Sequence, residues 1–184
     1  MTASPAPLSA VLLARLAPVR LLALDVDGTL TDGRVVYVGE QELQAFCVRD
    51  GQGLAWLRQA DVALAWVTGR GCRATERRAA ELGIEELHVG VGPKEERLAR
   101  IQERLGIPPE QTVAMGDDLP DLGLALRSAV FACPADARPE VREQADLVTA
   151  ATGGAGAVRE LAEAILRSKE LWEPTLDRYG PTSA

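Results

Sequence analysis

Residues 21–33 read LLALDVDGTLTDG, an apolar run that ends in two aspartates and a glycine. Leu21, Leu22, Ala23 and Leu24 are continuously apolar, the pattern of a short strand covered on both faces. Strand alternation puts Asp25 and Asp27 on one side and turns Val26 away. Two carboxylates that close repel, and a buried pair is costly unless a cation or a proton neutralises one of them. Asp, Gly and Thr also favour turns, so the stretch by itself admits a plain pair of turn aspartates at a strand end.

Outward from this strand the pattern alternates. Residues 34–48, RVVYVGEQELQAFCV, hold two strand-like runs, VVYV and LQAFCV, around a Gly-Glu-Gln-Glu turn and predict a hairpin. DGQGLAWLRQA (50–60) predicts a helix and DVALAWVTG (61–69) a second buried strand. RGCRATERRAAELG (70–83) is a helix stopped by Gly83, ELHVG (86–90) a strand, and KEERLARIQERLG (94–106) a helix stopped by Gly106. TVAMG (112–116) is the next strand, followed by a helix in LPDLGLALRSA (119–129) and a strand in VFAC (130–133). RPEVREQA (138–145) is a short helix, DLVT (146–149) an edge strand, and GAVRELAEAILRSK (156–169) a closing helix. Residues 171–184, LWEPTLDRYGPTSA, are punctuated by Pro and Gly and read as a tail. The first 20 residues read as a short amphipathic segment. Arg15 interrupts their apolar middle and no basic residue precedes it, unlike a signal peptide.

Strands alternating with helices in this way indicate a parallel sheet with helices on both faces. Ligands of such folds gather at the carboxyl ends of the strands, where Asp25, Thr68 and Asp117 all fall. The chain of 184 residues is long enough for one domain with a proper core, divided into a core of about residues 20–169, an N-terminal segment 1–19 and a tail 170–184.

Composition narrows the chemistry. A net charge of -7 argues against nucleic-acid binding, which shows a basic face, and no apolar window is long enough for a membrane helix. Cys47, Cys72 and Cys133 lie far apart without a CxxC pair, which excludes a zinc knuckle or disulfide framework and fits a reducing cytoplasm. Cys72 and Cys133 read as small buried hydrophobes, and His88 as structural. With one histidine, any divalent metal must be held mostly by oxygen, which points to Mg2+.

Four pieces stand in order: DVDGT (25–29), TGR (68–70), Lys94 opening a helix, and GDDLPD (116–121). Together they resemble the haloacid dehalogenase (HAD) superfamily of phosphatases from about residue 20 to about 167. The resemblance implies an α/β fold, Rossmann-like (HAD-type), with a three-layer parallel sheet. It makes Asp25 the nucleophile, forming an aspartyl-phosphate, and Asp27 the acid and base. It places Mg2+ between Asp25, the backbone carbonyl of Asp27, and Asp117, and sets Thr68 and Lys94 on the phosphoryl oxygens. Asp118 and Asp121 either orient Lys94 and metal-bound water or cap the following helix; the former suits Asp118, and Asp121 is left open.

A narrower set, DVDGTLTDG, FCVRDGQG, TGR, GDDLPD and GGAGAVRE, resembles the cap-less phosphatases of 3-deoxy-D-manno-octulosonate 8-phosphate, a precursor of bacterial lipopolysaccharide. Only residues 34–67 separate the first motif from Thr68, room for a small β-hairpin flap but for no cap domain. By this resemblance a sugar phosphate contacts Asp27, Val48, Arg49, Asp50, Gly51, Arg70, Arg78 and Lys94, arginine suiting carboxylate and phosphate. From residue pattern alone, Arg78 shares a helix with Arg73, Glu76, Arg77 and Glu81 and fits a solvated face. Cys47 and Ala55 stand where the family carries asparagine and, in some members, arginine; Thr29, where valine is frequent, reads as neutral. TGGAGAVRE suits an anion at a helix start, although a loop-to-helix junction ranks ahead. The resemblance further implies a homotetramer whose hairpins pair around a symmetry axis, with Arg78 and the tail reaching a neighbour's site. Three competing readings remain: a phosphatase of another acidic sugar such as a nonulosonate phosphate, a non-catalytic oligomerisation module, and a phospho-accepting receiver. The receiver is the poorest fit, because its paired acids precede the acceptor strand.

Overall fold

Largely apolar runs of four or five residues make the central strands β1 (Leu21–Leu24), β4 (Ala63–Val67), β6 (Thr112–Met115) and β7 (Val130–Cys133); the shorter strands are β2 (Val36–Val38), β3 (Gln41–Leu43), β5 (Glu86–His88) and β8 (Leu147–Val148). The helices are α1 (Ala10–Leu16), α2 (Val48–Gln59), α3 (Arg73–Leu82), α4 (Lys94–Leu105), α5 (Leu122–Ala125), α6 (Pro139–Gln144), α7 (Ala157–Ser168) and α8 (Trp172–Asp177). The structure is a computed structural model and describes residues 8–180. The outer ends of the N-terminal segment and of the tail, 1–7 and 181–184, lie outside the described residues.

Six strands form one sheet in the order β5-β4-β1-β6-β7-β8, every neighbouring pair parallel. Alternation sorts the strand side chains. Leu22, Leu24, Leu64, Trp66, Val113 and Met115 share a core with α1, α2, α7 and α8. Leu21, Ala23, Ala65, Val67, Ala114 and Phe131 face a second core completed by Leu98 and Ile101 of α4, Leu124 of α5 and Val141 of α6. Burying each such Leu, Val or Phe contributes about 1.5–3 kcal/mol, so the two cores hold the three layers together. From β1 the chain passes outward to β4 and β5, then returns to β6 on the other side. The strand order therefore reverses between β1 and β6, which opens a crevice at their carboxyl ends.

Several boundaries differ from the sequence reading. The hairpin of β2 and β3 pairs Val38 with Gln41, so its turn is Gly39–Glu40 rather than four residues. LQAFCV is no strand beyond Leu43. Phe46 stacks on Trp66 at 6.1 Å, Cys47 is the N-cap of α2, and Val48 is already helical. The helix expected over 119–129 is broken: Leu119–Asp121 is a 3-10 turn, capped by Asp118, ahead of the single turn of α5.

The tail reading is overturned for α8. Trp172 is buried, packing edge-on to Trp56 at 5.8 Å, and Arg159 and Arg167 lie over the faces of Trp56 and Trp172 at 4.0 and 4.9 Å. Trp56 Nε1 donates to the Tyr179 hydroxyl at 2.9 Å. Pro174 does not break α8 because it sits in the first turn, where its missing N–H has no helical acceptor. No helix among the described residues is long and apolar enough to cross a membrane.

Candidate active site

The loop after β1 is built for close approach. Asp25 N–H donates to the Met115 carbonyl at 3.0 Å, extending the β1–β6 ladder to the crevice. Gly28 has φ +92°, and a Cβ there would lie 2.1 Å from an Asp117 carboxylate oxygen. A Cβ on Gly153 would lie 1.8 Å from the Gly28 carbonyl, so the glycine run before α7 backs the first motif's loop. That run is a loop-to-helix junction, and the anion at the start of α7 is the chain's own: Arg159 N–H donates to Asp50 Oδ1 at 2.8 Å.

Lys94, the first residue of α4, is buried with Nζ 2.5 Å from both Asp25 Oδ1 and Asp121 Oδ1. The other Asp121 oxygen accepts the N–H groups of Asp117 and Asp118 at 2.9 and 3.1 Å. Asp117 Oδ1 accepts the Thr29 hydroxyl at 2.9 Å, so Thr29 is not neutral. Burial lowers Lys94, but Asp25 and Asp121 outweigh it and hold the ammonium above its usual range. Burial and the Asp121 carboxylate push Asp25 up to about 8 against the pull of Lys94, and the same two causes push Asp117 to about 7. One lysine is too little positive charge for three carboxylates whose oxygens approach within 4.8 Å. An all-oxygen acidic pocket of this kind fits Mg2+. Asp25 and Asp117 are the carboxylates available to it, since both Asp121 oxygens are engaged.

Asp27 stands beside this cluster. Its Oδ1 accepts the Gln44 amide at 2.8 Å; its Oδ2 lies 3.3 Å from the Thr68 hydroxyl and 4.0 Å from Arg70 Nε. Arg70 pairs with Glu42 of the hairpin at 3.0 Å, tying the flap to the strand end. Asp25, Asp27, Thr68, Lys94 and Asp117, drawn from four strand ends or helix starts, thus meet at the crevice. Asp25 Oδ2, free of the Lys94 bond, can attack an electrophile that carries negative charge, with Asp27 placed to move a proton.

The other positions spread out. Val48 is 79% exposed, and Arg49 reaches the Ala155 carbonyl at 3.2 Å. Asp50 is no ligand for a substrate, because it is buried against α7, with burial raising its pKa. Gly51 is buried beneath the Arg78 guanidinium, which also lies 3.4 Å from Glu81. Asp118 is exposed and caps Leu119 N–H at 2.8 Å, while Asp121 does the orienting of Lys94, the reverse of the favoured assignment. Cys72 is half-buried with a polar partner, its Sγ 3.0 Å from Gln44 Oε1, whereas Cys133 is buried as expected. His88 meets Glu86 at 2.9 Å and serves the sheet edge. Gln44 and Thr29 carried no signal as single residues; their partners are 17 and 88 positions away.

Comparison with known proteins completes the picture. The haloacid dehalogenase-like hydrolase family matches residues 90–161. The 3-deoxy-D-manno-octulosonate 8-phosphate phosphatase of Escherichia coli (strain K12) is 41% identical over 162 residues, 87% of this chain and 86% of the relative. That of Yersinia pestis is 38% identical over 169 residues, 91% and 90% of the two chains. The Moraxella catarrhalis phosphatase of the same name, solved with magnesium ion, phosphate ion and a KDO molecule, superposes with a TM-score of 0.90 at 35% identity, covering 92% and 98% of the two chains. The cobalt-bound Haemophilus influenzae enzyme superposes at 0.84 with 34% identity, covering 86% and 93%.

Proposed function

Because this chain belongs to the family of 3-deoxy-D-manno-octulosonate 8-phosphate phosphatases among the haloacid dehalogenase-like hydrolases, we propose that it hydrolyses that sugar phosphate with Mg2+. The observation that carries the reading is the meeting of Asp25, Asp27, Asp117 and Lys94 at the reversal of strand order. Asp25 Oδ2 attacks phosphorus; the bond to the sugar oxygen breaks, and that oxygen keeps the electron pair and takes the proton of Asp27. Asp27 then removes a proton from the attacking water, the phosphorus–Asp25 bond breaks, and inorganic phosphate leaves. Thr68 and Lys94 hold the phosphoryl oxygens. Magnesium, held by Asp25, Asp117 and the Asp27 carbonyl, supplies positive charge that relieves carboxylate repulsion and offsets the substrate's charge. A scaffold without catalysis is not favoured, since it has no need of five such groups in register.

The sugar carboxylate falls to Arg70 and, from a neighbouring subunit, Arg78. Arg70→Ala is expected to raise KM for 3-deoxy-D-manno-octulosonate 8-phosphate more than for p-nitrophenyl phosphate. In a panel of purified sugar phosphates with magnesium, acidic ones should exceed glucose 6-phosphate in kcat/KM. Equal KM effects on both Arg70 substrates would assign Arg70 to the phosphate or the flap instead.

We assign the protein to a homotetramer working in the cytoplasm on the route to lipopolysaccharide. The hairpin supports the first part, since Val36, Tyr37 and Val38 are 49, 67 and 58% exposed on a strand pair that has no further neighbours in its sheet among the described residues. The three free cysteines suit the second. Light scattering should give four times the chain mass, and activity should fall on dilution; a fully active monomer would overturn the assembly and the role of Arg78.

A further inference from the structure

Gln44 follows β3 at the root of the flap, and its side chain joins three parts of the fold. Its Oε1 accepts the Thr75 hydroxyl at 2.5 Å and lies 3.0 Å from Cys72 Sγ, both at the start of α3. Thr75 is buried, so the oxygen end of the amide is pinned to a rigid element. The nitrogen end then faces Asp27 Oδ1 at 2.8 Å. An amide nitrogen is a donor only, and a proton on Oδ1 would point at another N–H. The oxygen that remains, Oδ2, faces the Thr68 hydroxyl and Arg70. The Thr68 hydroxyl itself accepts the Arg70 backbone N–H at 3.0 Å, which leaves its own hydrogen to adapt to either state of Asp27.

We propose that Gln44 is a positioning residue for catalysis: with Thr75 and Cys72 it holds the Asp27 carboxyl so that Oδ1 is filled and Oδ2 alone delivers the proton to the departing sugar oxygen. The proposal rests on Asp27 acting as the acid of the phosphatase reaction. It extends the site to the flap, because the strand pair that carries Gln44 also sets the aim of the acid.

The test uses two esters that differ in their need for a proton. A sugar alkoxide must be protonated as it leaves, whereas p-nitrophenolate is a stable anion. Because kcat/KM reads the steps through the first phosphoryl transfer, it isolates the acid role. Gln44→Met, similar in length and without an N–H, is expected to lower kcat/KM for 3-deoxy-D-manno-octulosonate 8-phosphate by about tenfold or more, within the range of general acid catalysis. For p-nitrophenyl phosphate the expected fall is below about threefold, and most of the sugar-phosphate loss should appear in kcat rather than KM. Asp27→Asn, measured alongside, should show the same dependence on leaving group more strongly. If Asp27→Asn discriminates between the esters while Gln44→Met slows both alike or neither, the proposal falls and the functional reading stands. If Asp27→Asn itself fails to discriminate, Asp27 is not the acid and both fall.

Discussion

Asp25→Asn is expected to abolish phosphatase turnover, by about 10⁴-fold or more, while the protein stays folded. An amide oxygen is a poor nucleophile toward phosphorus, and the neighbouring carboxylates have partners of their own. Both oxygens of Asp121 are taken by Lys94 and by backbone N–H groups, and Asp117 holds the Thr29 hydroxyl. The substitution is isosteric and removes one of the crowded carboxylates while leaving Lys94 its Asp121 partner. Without metal, the variant should therefore melt at or above the wild-type temperature. This combination of lost turnover and retained stability marks a group held against its own electrostatic preference. Steady-state assays with magnesium, paired with melting curves, check both halves. Wild-type-like turnover in Asp25→Asn would falsify the aspartyl-phosphate route.

Removing magnesium should have the second large effect. Chelation is expected to stop turnover, and saturating magnesium should stabilise the fold by about 2.7 kcal/mol at a hundredfold excess over its dissociation constant. For a protein of this size that corresponds to a rise in melting temperature of about 5–10 °C. The effect should depend on pH in a definite direction. In the unfolded chain the aspartates ionise near 3.8; in the metal-free fold Asp25 waits until about 8 and Asp117 until about 7. Between these values the folded state binds more protons than the unfolded one, so metal-free stability falls as pH rises from about 4 to about 8. Magnesium takes the place of those protons. Its stabilising effect should be larger at pH 8 than at pH 6. Thermal melts with and without magnesium at the two pH values read this directly, and an equal or reversed effect would remove the carboxylate cluster as the metal site.

The parallel sheet, the strand ends and the order of the motifs were legible in the chain because they are local. Four-residue apolar runs such as Leu21–Leu24 are strands wherever helices cover both faces, and a glycine stops α3 and α4 at Gly83 and Gly106. Recognition of DVDGT, TGR, Lys94 and GDDLPD likewise needed only residue identities in order. Local pattern was less reliable where long-range contacts decide. Residues 172–177 carry Pro and few apolar side chains, yet they form α8 because Trp172 finds Trp56, Arg159 and Arg167 on α2 and α7. Asp50 sits in a VRDG segment that points to substrate, yet the packing of α2 on α7 turns its carboxylate into the cap of a helix more than a hundred residues away. Asp118 and Asp121 are equivalent as letters. The 3-10 turn at Leu119–Asp121 leaves the first exposed and brings the second under Lys94. Sequence by itself determined the fold class and singled out Asp25, Asp27 and Asp117 as candidate carboxylates, because strand burial and motif order are written in neighbouring residues. Tertiary structure alone decided which groups hold those carboxylates, since the hydrogen bonds of Thr29 to Asp117 and of Gln44 to Asp27 exist only once separate strands and the flap converge on one crevice.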